Sequence, residues 1–351
     1  MSATNGGSTR PVVITGGAGF IGSNLAHRLL QGGERVILFD DLSRPLVTRN
    51  AEWLRRSHGA RVELCEADVR DAAAIAEVCR GASFVVHLAA QVAVTTSLRD
   101  PVDDFEINAR GTLNVLEALR RQPSPPPLIF TSTNKVYGAL LDVALRARDL
   151  RCEPEDAALR ARGISEARPL DFHSPYGCSK GAADQYVLDY ARTFGLSAAV
   201  LRMSCIYGLR QLGSEEQGWV AHFAIQVLRG APITVYGDGL QVRDVLFAED
   251  LVGAILAARA AMPRIRGGAW NLGGGPEQTT SLLELLELLH EIGGRRAEVR
   301  FEAARPGDQR WYVSDLQRFK GATGWAPRVQ LREGLARLCA FLRDAGIGVA
   351  A

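Results

Sequence analysis

The chain has 351 residues, 47% of them apolar and 23% charged, and its 41 basic and 39 acidic side chains leave a net charge of +2. That length suits one large domain or two of ordinary size, and the near-neutral balance argues against a nucleic-acid coat or a membrane-surface binder. No apolar run reaches the ~18 to 20 residues that span a bilayer, and the six cysteines and six histidines form no CxxC or HxxxH spacing, so no metal is expected.

The opening MSATNGGSTR is small and polar, without the apolar core of a secretion signal. It predicts a flexible segment over 1–10 and a cytoplasmic protein. VVIT (12–15) then reads as a strand, followed by a helix over about 20–31. RVILFD (35–40) is a second strand and VELCEAD (62–68) a third, with the helical run DAAAIAEVC behind it. FVVHLAA (84–90) is a fourth. A helical pattern over about 103–121 is stopped by PSPPP (123–127), because proline cannot continue a helix. LIFTST (128–133) is a fifth strand. The helix through YGCSKGAADQYVLDYARTFG leads to SAAVLRMSCIYG, a sixth.

Strands apolar on both faces, alternating with helices, predict a Rossmann-like, doubly wound parallel α/β sheet. Beyond about residue 210 the pattern loosens. ITVYGDG, a helix near 250–260, AWNLGGG and a leucine-rich helix over 282–292 predict a smaller α/β region. The segment 139–170 is long, charged and weakly patterned, and a connection of that length is more often functional than idle.

TGGAGFIG (15–22) places Gly16, Gly19 and Gly22 in a GxxGxxG spacing between strand and helix. Glycine permits the tight turn and the close approach of a pyrophosphate. The helix beginning at Phe20 and Ile21 offers that anion free N–H groups. Asp40 ends the next strand, where a carboxylate would bind the adenosine ribose hydroxyls. It would repel the 2′-phosphate of NADP, and Asp41 would add to that, so NAD is the expected cofactor. Arg44 stands close enough to complicate the argument, and Ser43 belongs to the same turn. Asp68 and Val69 would flank adenine, the alternative for Asp68 being a cap for DAAAIAEV. Leu88, Ala89 and Ala90 in HLAAQ would pass the middle of the cofactor, or simply end a buried strand. On this reading residues 11–208 are mainly the NAD-binding domain and 209–345 mainly a second ligand-binding region, with some segments crossing between them.

Tyr176 and Lys180 stand four apart in SPYGCSK and share a helix face. Thr133 ends the fifth strand, where its hydroxyl could meet the same site. A phenol titrates near ~10, too high for a base at neutral pH. A lysine ammonium and a positive nicotinamide would favour the phenolate. Tyr176 could then take a hydroxyl proton as hydride leaves the same carbon. The bland alternatives are a core tyrosine and a solvated lysine.

TGGAGFIG, HLAA, Asn108 with Gly111 and Thr112, the Tyr176–Lys180 pair, LRMSCIYG, QVRDVLFAEDL and RPGD together resemble the extended short-chain dehydrogenase/reductase family of nucleotide-sugar epimerases and dehydratases. The resemblance runs from residue 12 to about 330. It implies that Asn108 belongs to the cofactor site and that Arg243 and Arg305 bind the diphosphate of a nucleotide-sugar substrate, where a guanidinium fork suits phosphate oxygens. It also implies substrate contacts from Gln91, Thr95, Thr133, Asn134, Ser204, Gln217 and Val235. Trp219 and His222 would lie beside the base pocket, with core packing an equal alternative, and Asn271 would support the fold.

Related 4,6-dehydratases carry an Asp-Glu pair after the threonine, and decarboxylating relatives a glutamate. Here Asn134 and Lys135 stand there, which disfavours both reactions. STNKVYG, QVAVTTSL, PLDFHSPYGCSK and the RQ…QGWV stretch are more similar to the branch that inverts carbon 2 of a CDP-linked sugar, a 3,6-dideoxyhexose or glucose. The implied mechanism is a closed redox cycle through a keto sugar with tightly held NAD. A UDP-hexose 4-epimerase is the alternative, and a non-catalytic NAD-binding module the alternative of another class. The resemblance further implies that segment 139–170 covers the sugar site, and that helices following the fourth and fifth strands pair copies into a homodimer or homotetramer.

Overall fold

The strand β1 (Val12–Thr15) is buried at every residue. A strand can be apolar on both faces only where helices cover both, and the chain supplies them in alternation: α1 (Phe20–Gln31), β2 (Val36–Asp40), α2 (Val47–His58), β3 (Val62–Glu66), α3 (Ala72–Cys79) and β4 (Phe84–His87). These elements belong to a computed structural model that describes residues 10–44, 47–305 and 307–347. The segment expected to be flexible, 1–10, lies outside the described residues except for Arg10.

After β4 come α4 (Val94–Arg99), α5 (Pro101–Phe105), a π-turn over Glu106–Arg110 and α6 (Gly111–Arg120), then β5 (Leu128–Thr133). A hairpin of β6 (Leu145–Arg148) and β7 (Arg151–Pro154) precedes α7 (Ala157–Arg162), the long α8 (Ser174–Thr193), β8 (Ala198–Met203) and β9 (Cys205–Tyr207). The chain continues through α9 (Trp219–Arg229), β10 (Ile233–Tyr236), β11 (Val242–Phe247), α10 (Ala248–Ala260), α11 (Met262–Ile265) and β12 (Ala269–Leu272). It ends with β13 (Thr279–Ser281), α12 (Leu282–Gly293), β14 (Val299–Glu302), β15 (Trp311–Tyr312), α13 (Gln317–Thr323) and α14 (Leu331–Asp344). Among the described residues no helix is long and apolar enough to cross a membrane.

Seven parallel strands form the central sheet in the order β12-β8-β5-β4-β1-β2-β3. Alternation along β1 sends Val12 and Ile14 into one core with Leu25, Leu29 and Leu38, and Val13 into the other with Val85, Val115 and Val187. Six strands match the sequence reading. The seventh corrects it: AWNL, placed by sequence in the smaller region, pairs with β8 as the edge of the main sheet. The reason is the crossover helix α10, whose Leu251, Ala254 and Ile255 pack into the core that holds Trp270. The smaller region is built instead on α9, β10, α12 and α14 around Phe223, Val235, Leu285, Leu289 and Leu338.

The segment 139–170 does not reach over the ligand cavity described below; none of its residues lines it. It is spent on backbone pairing. Cys152 N–H donates to Leu240 O at 2.8 Å, and Ile164 N–H donates to Val313 O at 2.7 Å. The expectation of a cover over the sugar site therefore gives way to a strap on the outside of the second region.

One buried ion pair joins these parts. Arg202 on β8 grips Asp184 on α8 through two bonds of 2.8 and 2.9 Å, with side chains 5% and 0% exposed. Arg202 also donates to the Tyr137 hydroxyl at 3.1 Å, which donates to Asn271 Oδ1 at 2.7 Å. Removing one partner would leave a buried charge uncompensated. Asp184→Ala is expected to lower stability by about 3–5 kcal/mol, measured by urea unfolding.

Candidate functional site

The site begins where β1 gives way to α1. Gly16 has φ +66°, and a Cβ there would stand 2.8 Å from Ala89 N in the turn after β4. A Cβ on Gly22 would stand 2.3 Å from Gly16 O, so the helix could not approach the turn. The loop is thus a cradle that side chains would fill, closed by the first turn of α1, whose N–H groups have no intrahelical acceptor. Asp40, 9% exposed at the end of β2, accepts from Ala18 N at 2.9 Å and Leu42 N at 3.0 Å. Burial raises its pKa while those two N–H bonds oppose the rise. Leu88 and Ala89 donate their N–H groups to Thr15 Oγ1, each at 3.2 Å. These residues fit a dinucleotide: a close backbone for the pyrophosphate and a carboxylate for the ribose.

Neighbouring residues show the local bonds that hold them. Asp41 accepts from Ser43 N and Oγ at 3.1 and 2.8 Å. Asp68 is gripped by Arg70 at 2.6 Å, which lowers its pKa, and the cap of α3 is Asp71 rather than Asp68. Val69 packs in the core against Gly111. Arg44 reaches from the end of β2 to Ala90 O at 3.0 Å, past β1, which lies between β2 and β4 in the sheet. Its other branch donates to Gln217 Oε1 at 3.1 Å.

Tyr176 lies in the first turn of α8 and Thr133 at the end of β5, and the structure brings both to the wall of one cavity. Burial pushes the phenol up to about 12, with the Thr133 hydroxyl acting the other way. Lys180 follows one turn later. Its ammonium donates to Thr131 O at 2.7 Å and lies 4.2 Å from the centre of the Phe130 ring. Burial pulls Lys180 down to about 7, against the nearby carboxylates of Asp184 and Asp104. In the protein alone, then, burial favours the neutral form of both groups, the reverse of the expected phenolate.

A cavity of about 420 Å³ opens from these hydroxyls toward the second region. Thr95, Ser132, Asn134, Ser204, Gln217, Arg243 and Arg305 line it, as do Phe20, Ile21, Trp219 and His222. Thr95 Oγ1 and Ser132 Oγ have no partner among the described residues, which leaves them open to a ligand. Ser204 donates to Asp244 O at 3.0 Å. Asn134 is held from behind by Gln309 at 2.9 Å.

Two expected substrate residues, Val235 and Gln91, do not line this cavity. Val235 is fully buried in the core of the second region. Its strand neighbours Thr234 and Tyr236 line the cavity instead, as alternation along β10 requires. Gln91 spends its amide on Ala93 and on Asp104 Oδ1 at 2.9 Å, and it does not line the cavity. Asn108, expected at the cofactor site, is 1% exposed and its amide lies within bonding distance of Gln91 O, Asp104 Oδ1 and Ser179 Oγ, which braces α8.

Other groups were missed. Lys135 and Asp308 face the cavity with Arg243: Lys135 Nζ is 3.3 Å and Arg243 Nη2 2.7 Å from the same Asp308 oxygen. Glu215, Glu216 and Gln217 tie the loop over the cavity to three separate elements. Glu215 accepts from the Tyr236 hydroxyl and, through its carbonyl, from Arg305 at 3.1 Å. Glu216 pairs with Arg99 of α4 at 3.0 Å, and Gln217 with Arg44. The RPGD motif held Asp308 in plain view, whereas nothing local in GSEEQG announces the contacts of Glu215 and Glu216.

Comparison with known proteins agrees with this geometry. The sequence profile of the NAD dependent epimerase/dehydratase family matches residues 12–273. The chain is 43% identical to CDP-paratose 2-epimerase of Salmonella typhi over 336 residues, covering 93% of this chain and 97% of that one. Its fold superposes on UDP-glucose 4-epimerase of Thermotoga maritima, solved with UDP-glucose, with a TM-score of 0.81, 31% identity and coverage of 95% and 99%. It superposes on the Thermus thermophilus UDP-glucose 4-epimerase complex with NAD with a TM-score of 0.79, 33% identity and coverage of 95% and 99%. The glycine cradle and the cavity that a threonine, a buried tyrosine and two arginines line thus meet in one chain, which belongs to the NAD-dependent epimerase/dehydratase family.

Proposed function

We propose that this nucleotide-sugar epimerase inverts carbon 2 of a CDP-linked sugar, a 3,6-dideoxyhexose such as CDP-paratose or a hexose such as CDP-glucose. The observation that carries the reading is the 43% identity to a CDP-paratose 2-epimerase along nearly both whole chains. The UDP-glucose 4-epimerases at 31% and 33% identity support the alternative less well. Asn134 and Lys135, where a dehydratase needs its carboxylate pair, accord with the same reading. A non-catalytic NAD-binding module would have no use for a tyrosine and a threonine that line one cavity with two arginines.

NAD, when bound, supplies the hydride acceptor and donor and brings a positive ring to the site. Gly16, Gly19, Gly22 and the first turn of α1 would hold its pyrophosphate, and Asp40 its ribose, with the 9% exposed carboxylate excluding a 2′-phosphate. With that positive ring beside it Tyr176 would ionise and take the proton of the 2-hydroxyl, and Thr133 shares that hydrogen bond and aims it. Lys180 works from beneath, its amine fixed to Thr131 O and so not competing for the substrate hydroxyl. The sugar passes through a 2-keto form and turns over while Arg243 and Arg305 keep its diphosphate in place. Tyr176 then returns the proton to the keto oxygen, and a hydride from the cofactor site would reach the opposite face of carbon 2. The loop over the cavity, tied down through residues 215–217, excludes water from the keto sugar.

An exposed apolar face supports an assembly of copies. Val102 and Phe105 on α5 are 70% and 49% exposed, and Tyr186 on α8 is 46% exposed. Such a patch on neighbouring helices suits a second copy of the chain. A cytoplasmic setting accords with six free cysteines.

Proton NMR of the purified protein with CDP-glucose, and separately with UDP-glucose, in deuterated buffer without added NAD tests the reaction. A manno-configured CDP product without deuterium at C2 is expected; a galacto-configured product from UDP-glucose would transfer the assignment to carbon 4. Tyr176→Phe is expected to lower turnover by about 10²-fold or more while bound NAD stays at the wild-type level; unchanged activity would remove Tyr176 from the mechanism. Light scattering should give a dimer or tetramer mass, and Val102→Glu with Phe105→Glu should shift it toward the monomer.

A further inference from the structure

Lys135 belongs to the same turn as Thr133 and stands two residues beyond it. Its ammonium bonds Gly307 O and Asp308 Oδ1, each at 3.3 Å, and Arg243 meets that same carboxylate oxygen at 2.7 Å. Lys135 and Arg243 thus meet at one carboxylate, in a cavity that Thr133 and Tyr176 also line. Two cations share one carboxylate, so this stretch of wall keeps a surplus positive charge. An ammonium has three donors. Two are spent on Gly307 and Asp308, and the third is available on a side chain that is 21% exposed.

The chemistry of the ligand says what such a cation would serve. A nucleotide sugar carries its diphosphate on C1. C2 is bonded to C1, whereas C4 lies across the ring. An enzyme that works on C2 must hold the sugar-proximal phosphate close to its proton-taking hydroxyl; one that works on C4 must hold it a ring's width away. We propose that Lys135 binds the sugar-proximal phosphate and so sets carbon 2, rather than carbon 4, against Tyr176. This rests on the carbon-2 reading given above. Asp308 holds the ammonium beside Arg243, and the arriving phosphate shares both cations with it.

CDP and CMP differ by the phosphate in question, so the pair isolates the contact. Calorimetric titration of the protein as purified, with its bound NAD, is the test. Lys135→Met is expected to weaken CDP by about tenfold or more and CMP by less than about twofold, with NAD content unchanged and Lys135→Arg restoring most of the CDP affinity. Equal losses for CDP and CMP would mean that Lys135 only braces the Gly307–Asp308 turn, and undiminished CDP binding would remove the contact; either overturns the proposal. If Lys135→Met does not fold, Lys135→Gln carries the same comparison. The regiochemical part is read from the product: in Lys135→Met, kcat/KM for carbon-2 inversion should fall by about 10²-fold. A wild-type protein that inverts carbon 4 would defeat the carbon-2 reading, while the CDP and CMP titrations would still decide the phosphate contact.

Discussion

The guanidinium of Arg202 is the fixed point to which the elements carrying Thr133 and Tyr176 are both referred. Through Asp184 it positions α8, the helix that carries Tyr176 and Lys180. Through the Tyr137 hydroxyl it positions the turn that starts beside Thr133. The same network runs on to Asn271 of β12 and, through the Asn271 amide, to Ile164 O. Buried charges of this kind are costly unless every lone pair and proton is used. Here the bidentate Asp184 and the tyrosine oxygen engage all three guanidinium nitrogens. A helix, a turn, an edge strand and the external strap are thus held in one relation, and hydroxyls from distant parts of the chain line one cavity.

The cavity itself follows a different rule. Its cations are paired with acids carried on connecting loops: Arg243 and Lys135 with Asp308, and Arg305 with Glu215. Such pairing lets the protein keep positive charge under cover without an anion in place. An incoming diphosphate joins charges that are already aligned, so little reorganisation is needed when it binds. The chemical end is drier and nearly neutral, and burial moves Tyr176 and Lys180 in opposite directions. The protein thereby separates anchoring by charge from proton transfer by hydroxyl.

Much of this was legible in the chain because its signals are local. The glycine cradle is a spacing of residues within eight positions, and the tyrosine and lysine share one helical turn. Strands buried on both faces show as unbroken apolar runs. What escaped depends on long-range contact. AWNL looks the same whether it edges the main sheet or the smaller region, and only the packing of α10 decides. Lys135 looks like a surface residue until a carboxylate 173 positions away is placed beside it. Val235 is a different kind of miss: alternation along ITVY predicts that Thr234 and Tyr236 share a face that Val235 cannot join. The segment 139–170 was called functional from its length, yet a long connection can equally be consumed by backbone pairing, as its bonds to Leu240 and Val313 show.

The recruitment of β12 into the main sheet has a consequence for how the chain is made. As a ribosome releases it, β8 emerges well before the strand that will cover its outer edge. Until residues 269–272 arrive, that edge presents unpaired N–H and C=O groups to any other nascent chain. The intervening residues include α9, β10 and β11, which belong to the second region. Neither region can therefore finish folding as a separate vectorial unit. Cutting the gene near residue 208 would yield a fragment with a raw sheet edge, and such a fragment calls for a chaperone rather than a purification tag.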